Sequence, residues 1–207
     1  MIDVALLQTY HSQLDGLRQV VSLSEGRSMS DPPDPLFYEN QNVFIKSYLV
    51  SACSILEAFI QDIASEYMLF IQSRLNTANL PHNFVAWVSG HEKASLEFKP
   101  FIGGKVKKDF SDMVSPNYWK TVKAFQRIGI DISKPQIEVF RDYVVSIVEK
   151  RNRIVHHNDA ALDLSFSDIV DAIDRFKAYT QSLFDAVVAD PHLTVGQAIQ
   201  PSLAVVQ

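Results

Sequence analysis

Apolar residues near the start of the chain recur at helical steps. Val4, Leu7, Leu14, Leu17, Val20 and Val21 predict a helix over residues 2–25. Gly26 and the stiff Asp31-Pro32-Pro33-Asp34-Pro35 cluster are expected to close it. The longest pattern runs from about residue 40 to 75. Phe44, Tyr48, Leu49, Ala52, Ile55, Leu56, Phe59, Ile63, Tyr67 and Phe70 follow three- and four-residue steps without a Gly or Pro, and Asn79-Leu80-Pro81 ends the run. Residues 80–130 read as an irregular insertion of short helices and loops. Within it, residues 118–127 predict a short helix closed by Gly129. Ser133-Lys134-Pro135 is a helix start that should carry through to about His157, with Asn158-Asp159 as its end. Ser167 reads as the cap of a last helix, residues 168–189, and Pro191 as its stop. Residues 191–207 read as a loosely attached tail. The sum is an all-α bundle: one domain over 1–190, long antiparallel core helices and short extra ones. Its expected core pair is the 40–75 and 135–157 helices, with the 168–189 helix packed on them and residues 1–39 as an N-terminal helix and Pro-rich connector.

Composition narrows the class. Seven glycines in 207 residues are too few for a many-stranded sandwich, and 47% hydrophobic with 21% charged residues suits a chain with a buried core. A net charge of −5 argues against a large duplex-binding surface but leaves room for a small basic pocket. The single cysteine, Cys53, excludes an internal disulfide and reads as a buried structural thiol among Val50, Ala52, Ile55 and Leu56. The start Met-Ile-Asp-Val carries no basic leader, and no uninterrupted apolar run spans a bilayer, so a cytoplasmic protein without a membrane partner is expected. His11, His82, His91 and His192 show no ligand spacing, and His156-His157 point to different sides of a helix, so no metal is expected. Gly103-Gly104 lacks the spacing of a phosphate-binding loop, and no cofactor is expected.

The chemistry concentrates at the end of the 135–157 helix. Ile137, Phe140, Val144, Ile147 and Val148 form its apolar stripe, which continues through Arg151 to Ile154 and Val155. A guanidinium in the middle of such a stripe needs a partner. It would pair with a carboxylate such as Glu57 or Asp62, or snorkel to solvent at the bundle end, or line a cleft that binds an anion. His156 stands about 140° round the helix from Arg151, whereas Asn152 and His156 share a face. Basic groups near a helix C-terminus also simply complement the macrodipole. Arg and His together suit RNA cleavage. The 2′-hydroxyl is the nucleophile, an imidazole takes its proton, and a guanidinium holds the phosphorane oxygens, with no metal required. Asn152 would orient the imidazole or hold a phosphate oxygen. Lys105, Lys107 and Lys108 form a second basic cluster, read as a solvated face or as phosphate contacts.

The run Arg151-Asn152-Arg153-Ile154-Val155-His156 resembles the Arg-(four to six residues)-His motif of the HEPN superfamily. The stretches Ile147-Val148-Glu149-Lys150, Ser47-Tyr48-Leu49-Val50 and Leu56-Glu57-Ala58-Phe59 are similar to its MAE and RiboL-PSP branches. The resemblance spans residues 40–75 and 135–187. It implies a helical bundle that forms homodimers and brings two motifs into one cleft. It also implies a metal-independent endoribonuclease of the toxin–antitoxin or phage-defence kind, with RNA as substrate and an antitoxin protein as a further partner. His156 would then be general base or acid and Arg151 the phosphate ligand. Asn152, His157 and Glu57 would be accessory, Glu57 as an orienter. Arg153, Lys150, Lys105, Lys107 and Lys108 would be weaker RNA contacts. Other members of the superfamily are non-catalytic modules that bind RNA, a nucleotide or a protein.

Overall fold

The computed structural model describes residues 2–90, 98–111, 113–157 and 161–193. His91, the Asn158-Asp159 helix end and residues 194–207 lie outside them. The helices are α1 (Val4–Ser28), α2 (Pro35–Glu39), α3 (Gln41–Thr77), α4 (His82–Val88), α5 (Lys107–Ser111), α6 (Tyr118–Arg127), α7 (Pro135–Glu138), α8 (Arg141–His157) and α9 (Phe166–Val188). A single turn of 3-10 helix, Pro191–Leu193, follows. Among the described residues there is no strand, only one isolated bridge between Pro81 and Pro100.

Side-chain pairs fix the directions of the four long helices. Tyr10 donates to Asp62 (2.6 Å) and Ser24 meets the Tyr48 hydroxyl (2.7 Å), so α1 runs antiparallel to α3. His11 lies against Thr180 and Arg18 against Asp174, so α1 is antiparallel to α9 as well. The Phe140–Tyr179 ring pair and the Tyr143–Asp171 contact make α8 antiparallel to α9. Thus α3 and α9 point one way, α1 and α8 the other. The last turn of α8 therefore shares an end of the bundle with the last turn of α1, the start of α3 and the start of α9. The core between them is built on Leu14, Leu49, Leu56, Phe59, Ile60, Phe176 and Leu183, all fully buried.

Several boundaries differ from the sequence reading. Gly26 does not end α1, because one glycine costs a helix only about 1 kcal/mol. Buried Ser24 and Ser28 hold the last turn against Tyr48 and Gln41. The helix from Pro135 is not continuous. It closes after one turn, where the Phe140 N–H donates to the Ile137 carbonyl, and restarts as α8. Ser165, not Ser167, caps α9, in a reciprocal capping box with Asp168. The core is wider than the expected pair, since α1 packs along both α3 and α9. The 80–130 stretch is not wholly an insertion. Val114, Tyr118, Val122, Phe125 and Ile130 are buried, and the amphipathic α6 is a core element capped by Asn117. Leu193 packs on the core, so residues 191–193 belong to the bundle. An 18-residue window of α3, with mean hydropathy 1.7, would suit a membrane span by length and composition. Here its apolar residues instead supply the middle of the bundle.

Candidate functional site

The site is built where α8 crosses the flank of α3. Val144, Val148 and Ile154 anchor α8 in the core, which turns Arg151 toward α3. The Arg151 Nη2 lies 3.6 Å from Glu57 Oε2, with side chains 21% and 29% exposed. Of the three placements open to Arg151, the structure therefore shows the carboxylate pair with Glu57. Asp62 is engaged elsewhere, accepting from Tyr10 and pairing with Lys107. The Asn152 side-chain oxygen accepts from Arg151 Nη1 (3.1 Å), so Asn152 braces the guanidinium. The Arg151 Nε is buried and without a hydrogen-bond partner.

Cys53, one turn before Glu57, is fully buried, as its surroundings predict. Burial pushes its thiol up to about 12; the Arg151 charge opposes this and Glu57 adds to it. An unreactive structural thiol follows.

His156 and His157 are exposed on the last turn of α8. By helix geometry His156 stands about 7.5 Å along the axis from Arg151. Val155 departs from its expected place on the core stripe: it is 48% exposed, because the last turn of α8 overhangs the core. Arg153 is exposed. Lys150 is buried, with its ammonium 2.5 Å from Asp163, a partner that competes with any phosphate. The Lys105, Lys107 and Lys108 cluster is not brought to the motif. Lys107 pairs with Asp62, about 8 Å along α3 from Glu57 and about 140° round it, and the Lys105 backbone binds Gln72, about 22 Å along.

One feature of the site escaped the sequence reading. Val43, Ser47, Ser51 and Ser54 form an exposed stripe on α3, its last residue about 60° round the helix from Glu57. The three hydroxyls donate back to the carbonyls of Val43, Ser47 and Val50 at 2.8–2.9 Å. The stripe is thus small in relief and has its hydrogen bonds already made. Its signal was serine at four- and three-residue steps inside an otherwise apolar helix.

With this geometry in place, comparison with known proteins decides the family. A family model described as RiboL-PSP-HEPN matches residues 22–189. The chain belongs to the RiboL-PSP-HEPN family. The match takes in only the last two turns of α1, all of α2 to α8 and α9 through its cap, so it covers the described bundle except for most of α1. No curated protein and no solved structure matches the chain. HEPN membership points to an RNA-related function, nuclease chemistry among the possibilities. The Arg151–His156 motif lies inside the matched segment, at the end of a bundle helix.

Proposed function

We propose that this HEPN domain is a metal-independent endoribonuclease that acts as a homodimer. The observation that carries the reading is the half-buried Arg151 guanidinium, braced by Glu57 and Asn152, one and a half turns before an exposed His156. Glu57 keeps the guanidinium in place without enclosing it, so a phosphate oxygen has room to approach. His156, free to meet solvent and substrate, takes the 2′-hydroxyl proton or returns one to the leaving 5′-oxygen. Arg151 stabilises the charge that develops on the phosphorane. Homodimer formation is supported by the α3 stripe, where small side chains with satisfied hydroxyls let two helices approach closely. A two-fold axis through Ser47–Ser54 would bring two Arg151–Glu57 pairs to one cleft.

The test is cleavage of single-stranded RNA by the purified chain in EDTA. His156→Ala and Arg151→Ala should each lower the rate by roughly a hundredfold or more while the circular dichroism stays native. Full activity in either variant would overturn the assignment. Ser51→Arg should give a monomer by sedimentation and lose cleavage with it. The finer role, a cytoplasmic toxin or phage-defence nuclease restrained by an antitoxin protein, predicts growth arrest on expression in a bacterial host and none with His156→Ala. A second reading, a non-catalytic module that binds RNA or a protein, is favoured by the same Arg151–Glu57 pair, because an internally paired guanidinium also serves structure alone. It predicts RNA binding without cleavage by the clean dimer.

A further inference from the structure

At the opposite end of the bundle, a cavity of about 500 Å³ opens between the last turns of α3, the start of α5 and the end of α6. Its volume is in the range of small-molecule pockets, roughly 300–1,000 Å³. The wall is aliphatic and thioether: Met68, Ile71, Leu75, Met113 and Ile128. A second cavity of about 490 Å³ shares Ile71, Leu75 and Ile128 with the first, so the two lie side by side along α3 and are taken together as one trough.

The outer wall is fastened to α3 by Gln72. Its side-chain oxygen accepts from the Lys105 N–H (3.0 Å) and its nitrogen donates to the Lys105 carbonyl (3.1 Å). The neighbouring Gly103 N–H donates to Asn76 (2.8 Å). A Cβ on Gly103 would stand 2.8 Å from the Gln72 side chain, so the close approach that makes this wall requires glycine. The trough is a built feature and not a gap between loose segments.

The described lining of the first cavity carries two cations, Lys105 and Arg127, and one carboxylate, Asp109. Lys105 and Arg127 stand at the mouth, and among the described residues neither has a carboxylate at ion-pair distance. The Arg127 guanidinium rests on Met113 Sδ, a weak acceptor (2.6 Å). Among the described lining residues the acidic group is Asp109, which accepts from the Val106 N–H (3.0 Å). Arg74, at the far end of the trough, donates to the His192 carbonyl.

We propose that this trough binds a single-chain aliphatic carboxylate, with the chain on Met68, Ile71, Leu75 and Ile128 and the carboxylate on Lys105 and Arg127. A linear chain suits the two adjoining cavities because they share the aliphatic wall of Ile71, Leu75 and Ile128. Among the described residues, the first cavity is lined by no aromatic ring on which a nucleobase would stack. The site is distinct from the Arg151–His156 motif and does not depend on the nuclease reading.

The test is calorimetric titration of the full chain with decanoate, using decyltrimethylammonium and AMP as controls. Decanoate should bind saturably at one site, and the cationic amphiphile and AMP should not. Arg127→Glu and Lys105→Glu, both at exposed positions, should each weaken decanoate by about tenfold or more, as expected for loss of a charge-assisted contact. Gly103→Val, which pushes the wall off Gln72, should weaken it too, with the melting temperature of each variant recorded. Absence of saturable binding would overturn the proposal. So would equal binding of the cationic amphiphile, indifference to both charge reversals, or tighter binding of AMP than of decanoate.

Discussion

Removing the Arg151–Glu57 contact separates a guanidinium held for chemistry from one held for stability alone. At 3.6 Å the bare attraction of two unit charges, with an effective dielectric near 20, is about 5 kcal/mol. Most of this is offset by desolvation and by the entropy of fixing two long side chains. Both groups keep a fifth or more of their exposure, which places the pair nearer a surface ion pair than a core one. A double-mutant cycle with Arg151→Met and Glu57→Gln should therefore return a coupling of about 1 kcal/mol. For a chain of this size that is about 2–4 °C in melting temperature. The assay is thermal and urea unfolding of the four proteins, with RNA cleavage measured on each. Glu57→Gln keeps the shape and one acceptor, so it should retain part of the cleavage activity, whereas Arg151→Met should abolish it. A coupling of zero, with both single variants as stable as the parent, would show that the two side chains do not meet in solution. Equal losses of activity in step with stability would reduce Arg151 to a structural role.

Cys53 should resist thiol reagents in the native state and react only at the rate of global opening, followed by labelling against urea; fast native labelling would contradict its burial. Ser165→Ala removes the capping box of α9 and should cost about 1 kcal/mol in urea unfolding, whereas Ser167→Ala should cost little. His11 has its imidazole pKa lowered, mainly by burial and then by Lys177, with the Lys177 backbone and Asp15 opposing. Below the ordinary value of 6.5 the unfolded chain takes up the proton before the folded one does. Stability is therefore complete above that pH and falls as acid is added. His11→Gln should flatten this fall in melts taken between pH 8 and 5, and an unchanged slope would refute the assignment.

Periodicity was a good guide where one face meets the core and a poor one where two elements share it. The bounds of α6 and the length of α3 follow the pattern closely, because Asn117 and the Asn79-Leu80-Pro81 stop leave little choice. The break between α7 and α8 escaped because Ile137, Phe140 and Val144 stay in three- and four-residue step across it, so the apolar stripe reads on unbroken. The first helix was undervalued because its apolar residues are sparse, and Ser24 and Ser28 are buried through hydrogen bonds that no hydropathy pattern reports. At the site, Arg151 was legible as the one charge on an apolar stripe, and Glu57 as one of two carboxylates within range. The choice between Glu57 and Asp62 was not, because Tyr10 and Lys107 claim Asp62 from elements far away in sequence. The burial of Lys150 against Asp163 depends likewise on a turn after α8 that periodicity does not describe.

The geometry of α8 makes one further demand on the proposed chemistry. Arg151 faces inward to Glu57, while His156 lies about 140° round the helix and about 7.5 Å along it. One phosphate gripped by Arg151 is therefore poorly placed for the imidazole of the same chain, and a second copy packed on the Ser47–Ser54 stripe supplies the missing partner. If each site takes Arg151 from one copy and His156 from the other, two inactive variants should complement. In a mixed pair of Arg151→Ala and His156→Ala chains, one of the two sites keeps both groups and the other keeps neither. Random exchange makes half the dimers mixed, so activity should return to about a quarter of the parent level under two-fold symmetry. If each site draws both groups from one chain, every site in every dimer lacks one group and mixing restores nothing. The experiment is cleavage before and after co-refolding of the two variants, with subunit exchange checked by sedimentation of tagged chains. Proven exchange with no recovery would sink the shared site and leave a bend of the last turn of α8 as the way His156 reaches the phosphate.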